Sequence, residues 1–183
     1  MVRLLLYVAM KRPARKVFMF RKFKFEEEVY GKLQSIPLST QFKLDRVGAK
    51  LSTKNWNRFS DEERHVLCHL SVRSQGELEC YREYLIYLLR KLKEKADWQD
   101  LQVGLLEKAQ WENLTRIPEG VYLRALRLKV IISPGNWIQL DDLERYALFR
   151  LSVESQPMEM FSKALQEFMG ITIPLSALPS RSS

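Results

Sequence analysis

Residues 33–75 read LQSIPLSTQFKLDRVGAKLSTKNWNRFSDEERHVLCHLSVRSQ, and residues 114–156 read LTRIPEGVYLRALRLKVIISPGNWIQLDDLERYALFRLSVESQ. Laid over each other without a gap, at an offset of 81 residues, they are identical at 16 of 43 positions. The matches fall in blocks. Ile36-Pro37 meets Ile117-Pro118, Asn55-Trp56 meets Asn136-Trp137, Glu63-Arg64 meets Glu144-Arg145, and Leu70-Ser-Val72 meets Leu151-Ser-Val153. This pattern predicts an internal duplication, with a unit longer than the ~34–47 residues of helical solenoid repeats.

Each copy reads as helices. Pro37 and Pro118 stand where a helix starts, because the N–H that proline lacks has no intrahelical partner there, and helices are predicted over about 38–50 and 119–131. Ser60-Asp-Glu-Glu63 and Asp141-Asp-Leu-Glu144 have the form of capping boxes opening the next helix, with apolar positions at Val66, Leu67 and Leu70 and at Ala147, Leu148 and Leu151. Ser74-Gln-Gly-Glu77 opens the longest helix, to about Lys95, whose Leu78, Tyr81, Leu85, Leu88 and Leu92 step by three and four. Its counterpart is predicted over 156–169. A helix over about 26–35 precedes the first proline, and 98–115 is predicted to supply its equivalent. With no sustained period-2 alternation, the expected fold is all-α: two tandem homologous four-helix units packed into one globular body. The boundaries read 1–18 as a basic arm, 19–96 as the first repeat, 97–170 as the second, and 171–183 as an extended or frayed tail.

Composition narrows the function classes. The chain has 183 residues, only 7 Gly and 7 Pro, and two cysteines, Cys68 and Cys80. No apolar run approaches the ~20 residues of a membrane-spanning helix, and two cysteines cannot build a disulfide framework, which points to the cytoplasm. The formal charge of +8 resides in residues 1–25, which hold eight lysines and arginines and no acid. The remaining residues balance, which argues against a uniformly basic nucleic-acid-binding body. The arm reads first as a disordered extension, with Met19 as an alternative start, and second as an electrostatic arm for an anionic partner. It does not have the form of a secretory signal, because its charges follow the apolar stretch Leu4–Met10.

Little in the sequence promises catalysis. His65 and His69 share a helix face at i, i+4, but two ligands are not a metal site, and the second copy has Tyr146 and Arg150 there. Cys68 aligns with Phe149 and Cys80 with Phe161, so both cysteines are expected to be buried thiols. No GxGxxG or GxxxxGK[ST] loop occurs. Trp56 and Trp137, each just before a capping box, are expected to anchor a loop onto the core. One face is different: Lys43, Arg46 and Lys50 lie at i, i+3, i+7, and Arg124 and Arg127 repeat the first two. These five are expected to be solvated cations, and as a site they form the candidate partner-binding surface for an acidic protein or, as the lesser reading, for a phosphate-bearing cofactor.

The ordered set Phe23-Lys-Phe25-Glu26, Ile36-Pro37, Lys43-Leu44-Asp45, Gly48, Lys50-Leu51, Trp56 and Glu63-Arg64 resembles the cyanobacterial nitrate reductase-associated proteins. Ile117-Pro118, Trp137, Arg145-Tyr-Ala-Leu148, Leu151-Ser152 and Ala164-Leu-Gln-Glu-Phe168 continue the resemblance, which covers about residues 19–170. Ser35 and Val47 stand where that family commonly has cysteine, and Leu38 where it has methionine. The resemblance implies a non-catalytic factor supporting the maturation, stability or activity of a molybdenum-dependent nitrate reductase, an enzyme carrying molybdopterin and an iron–sulfur cluster. The implied partner is the reductase or its apo-form, with no cofactor of the factor's own. Two other readings stay open: a nucleic-acid-binding regulator using the arm, and a small-molecule carrier with a pocket between the copies.

Overall fold

The computed structural model describes residues 20–92 and 110–174, and these form helices and connecting segments with no strand among them. The arm at 1–18, the end of the longest predicted helix beyond Leu92, most of the helix predicted over 98–115, and the tail beyond 174 lie outside the described residues. A 3-10 turn over Lys24–Glu26 leads into α1 (Glu27–Lys32), followed by α2 (Leu38–Arg46), α3 (Thr53–Trp56), α4 (Asp61–His69) and α5 (Gln75–Lys91). A second 3-10 turn over Gln110–Glu112 precedes α6 (Glu119–Arg127), α7 (Pro134–Gln139), α8 (Asp142–Leu151) and α9 (Met158–Met169). None of these helices is long and apolar enough to cross a membrane.

The helix starts follow the sequence closely. Pro37 and Pro118 are N-caps of α2 and α6, and Ser60, Ser74 and Asp141 make the capping boxes expected of them. The helix ends differ. The helices predicted to reach 50 and 131 stop at Arg46 and Arg127, because the chain turns left-handed at Gly48 (φ 71°) and Lys129 (φ 59°). Ala49 N–H then donates to the Leu44 carbonyl at 2.9 Å, and Val130 N–H to the Ala125 carbonyl at 3.0 Å. This is the Schellman closure, which satisfies carbonyls that a longer helix would have bonded internally.

Two cores form. The first gathers Leu33, Leu44, Trp56, Leu67, Tyr81, Leu85 and Leu88, and the second gathers Val121, Ala125, Trp137, Leu148, Phe161, Leu165 and Phe168. Trp56 and Trp137 are fully buried with their indole N–H groups satisfied: Trp56 donates to the Leu33 carbonyl at 2.6 Å and Trp137 to the Asn113 carbonyl at 2.9 Å. Phe23 and Leu38 come from the first half but belong to the second core, where Phe23 and Phe25 both meet the Phe168 ring. The halves also join where α2 packs on α8, through a hydrogen bond from the Tyr146 hydroxyl to Asp45 at 2.7 Å. After Gly170 closes α9, Ile173 returns to the second core.

Two expectations about burial are corrected. Cys68 is buried, but Cys80 is exposed. The inward stripe of α5 runs through Tyr81, Leu85 and Leu88, which match Phe161, Leu165 and Phe168 of α9 at a separation of 80 residues rather than 81. That one-residue slip turns Cys80 about 100° off the stripe. Val66 is likewise exposed, on the outer side of α4.

Candidate functional site

A cleft of about 1030 Å³ opens between the halves. One wall is α2, whose Ser39, Phe42, Lys43 and Arg46 share a face through their i, i+3, i+4, i+7 spacing. The segment from Phe20 to Lys24 forms a second wall, and the turn from His69 to Arg73 a third. Asp141–Leu143 at the start of α8, with Glu167 from α9, close the far side.

The five candidate cations divide into two kinds. Lys43 and Arg124 are 6% and 5% exposed, so the expectation of five solvated charges is corrected for these two. Lys43 donates to the Cys68 carbonyl, holding the end of α4 against α2, and burial pushes its ammonium down to about 8, with Arg73 adding repulsion. Arg124 donates to the Val153 carbonyl at 2.8 Å and to the Gln156 carbonyl, bracing the turn between α8 and α9, and burial lowers its pKa as well. Both side chains satisfy the open carbonyls of a neighbouring turn, work that needs a long donor with a buried stem. Arg46, Lys50 and Arg127 face solvent. Arg46 lies over the Phe42 ring and 3.9 Å from Glu112, and Arg127 is 3.6 Å from Glu154. Of the five, Lys43 and Arg46 line the cleft.

Charge in the cleft is unevenly matched. Its three carboxylates are engaged. Asp141 takes Arg21 and caps α8, Asp142 takes Arg145, and Glu167 accepts the Phe25 N–H at 3.1 Å. The exposed Lys22 and Lys24 make no ion pair with a carboxylate among the described residues. Lys22 instead lies over the rings of Phe20 and Tyr30, 5.7 and 5.5 Å away. The Ser39 hydroxyl, on a residue 2% exposed, has no hydrogen-bond partner among the described residues. Sequence reading missed Ser39, although its place four residues before Lys43 puts the two on one helix face. Lys22 and Arg73 were out of reach, because only the tertiary fold brings them to α2.

His65 and His69 stack at 6.4 Å, each donating Nδ1–H to the carbonyl four residues earlier. Among the described residues, no group of three or more His, Cys, Asp or Glu could hold a metal ion.

Behind the α2 wall, Glu26 is buried and its carboxylate accepts the Leu38 N–H at 2.9 Å and the Tyr30 hydroxyl at 2.8 Å. Burial raises its carboxyl from 4.5 to about 7, against the lowering effect of both hydrogen bonds. The folded state therefore holds the proton more tightly than the unfolded chain does. Stability from this group is fully present below pH ~4.5 and is lost as pH rises to ~7, a change of about 3 kcal/mol. Urea midpoints at pH 5 and pH 7.5 should show this loss in the wild type and a smaller one in Glu26→Gln. Equal losses in the two proteins would assign the slope to other groups.

A family model described as conserved nitrate reductase-associated protein matches residues 22–168. No curated protein and no solved structure matches the chain.

Proposed function

The chain belongs to the conserved nitrate reductase-associated protein family, and from that membership we propose that it is a non-catalytic accessory factor that binds nitrate reductase or its apo-form in the cytoplasm and supports its maturation, stability or activity. The family match over residues 22–168 carries this reading. The docking surface uses Arg46, Lys50 and Arg127, the solvent-facing members of the candidate set, while Lys43 and Arg124 hold the turns beneath it. Beside Arg127, the outer side of α6 exposes Tyr122, Leu123 and Leu126, and Ile131 follows with 76% of its surface open. An apolar strip with Arg127 beside it has the composition of a protein contact: the strip supplies binding energy, and the charge steers encounter and fixes orientation.

The same reading extends to the organisation of the chain. Residues 19–96 and 97–170 are two homologous helical repeats between an arm at 1–18 and a tail at 171–183. The recurring caps Pro37 and Pro118, Ser52 and Ser133, and Ser60 and Asp141 support this, as do the paired Schellman closures.

Affinity capture from nitrate-grown cells tests the function. The wild-type protein should retain nitrate reductase, and the Arg46→Glu, Lys50→Glu, Arg127→Glu triple variant should retain less at an unchanged melting temperature. Absence of the reductase from the wild-type eluate would overturn the accessory reading. Full retention by the triple variant would reduce those cations to ordinary solvated surface.

A further inference from the structure

We propose that the cleft between α2, the Phe20–Lys24 segment and the His69–Arg73 turn is a binding site for an organic di- or triphosphate of the nucleotide class. The inference does not rest on the reductase reading, and three independent observations support it.

The first is Ser39. A buried hydroxyl without a partner costs about 1–3 kcal/mol relative to a satisfied one, and this one sits on the wall of an open cleft. A phosphate oxygen arriving there would accept its proton. The second is charge. Lys22 and Lys24, with no ion pair among the described residues, line the cleft beside Arg46 and Arg73, and Lys43 is held beneath them by the Cys68 carbonyl, whereas the carboxylates opposite are occupied by Arg21, Arg145 and the Phe25 N–H. An excess of this size suits a ligand with several negative charges. Guanidinium and ammonium groups converging with a hydroxyl donor match phosphate oxygens. The third is size and lining. About 1030 Å³ is far more than an isolated phosphate fills, and Phe20, Val72 and Leu143 supply apolar surface for an organic moiety. An acidic peptide would share the charge chemistry, but a cleft that sets Lys22, Lys24 and Arg73 on the walls flanking Ser39 and Arg46 favours a compact anion.

The test uses the full chain and calorimetric titration with ATP, ADP, AMP and adenosine at fixed ionic strength. Saturable binding is expected for ATP and ADP, weaker binding for AMP, and none for adenosine. Ser39→Ala removes only the unpartnered hydroxyl, so its melting temperature should hold or rise while ATP affinity falls severalfold. Lys22→Glu with Lys24→Glu should lower affinity tenfold or more. Lys50→Glu with Arg127→Glu, outside the cleft, should leave affinity unchanged. No saturable ATP binding would overturn the proposal. So would an equal loss in the Lys50/Arg127 variant, the mark of diffuse charge attraction. Displacement of ATP by polyglutamate at equal charge concentration would give the cleft to an acidic peptide and also overturn it.

Discussion

Arg124→Glu should lose a large share of the protein's folding stability. The change puts a carboxylate where a 5%-exposed guanidinium now donates to the Val153 and Gln156 carbonyls. Both acceptors then face like partial charge in a site with little water. Breaking a buried charged network of this kind costs about 3–5 kcal/mol, a large share of the ~5–15 kcal/mol that holds a typical domain folded. Lys43→Glu should do the same at the Cys68 carbonyl. Arg46→Glu and Arg127→Glu, on exposed side chains, should stay within about 0.5 kcal/mol of wild type. Urea unfolding of the four variants checks this. If Arg124→Glu and Arg127→Glu had the same midpoint, the burial assigned to Arg124 would be wrong.

Trp56→Ala should be comparably severe. The indole is fully buried in the first core, and removing a large aromatic from such a site costs about 3–5 kcal/mol through lost burial and residual cavity. For a chain of this size that is a fall of roughly 6–20 °C in melting temperature. The Leu33 carbonyl would keep the Arg64 guanidinium at 3.1 Å as its second donor, so the loss is chiefly one of packing. Trp56→Phe restores much of the volume without the N–H and should recover more than half of the lost stability. A melting temperature for Trp56→Phe as low as that of Trp56→Ala would make the hydrogen bond, and not the packing, the main contribution.

These expectations mark where sequence reading stopped. The capping boxes at Ser60, Ser74 and Asp141 were legible because a cap is decided by residues three apart on one strand of chain. The tryptophan anchors were legible from their place before a cap. The ends of α2 and α6 were not, since Gly48 hints at a left-handed turn but Lys129 in the same conformation gives no sign. For Lys43, Arg46 and Lys50, the spacing assigns a shared face. It does not say whether that face meets water, a neighbouring turn or a cleft, and the answer differs from one residue to the next. The cleft was beyond reach for the same reason, because its walls lie far apart in sequence, from Phe20 to Glu167. Glu26 carried no signal at all: its burial depends on α2 beginning directly above it.

Arg21 reaches Asp141 across 120 residues, and the Phe25 N–H reaches Glu167 across 142. During translation this leading stretch leaves the ribosome long before its seat on α8 and α9 exists. At ~5–20 residues per second the interval is roughly 7–30 s. Throughout it, the first half can gather its own core while Phe23 and Phe25 stay uncovered. The clasp closes only after Phe168 has cleared the exit tunnel, so a nascent chain stalled or cut before α9 would display that aromatic pair as an adhesive end. Formation of α9 and concealment of Phe23 and Phe25 are therefore a single event.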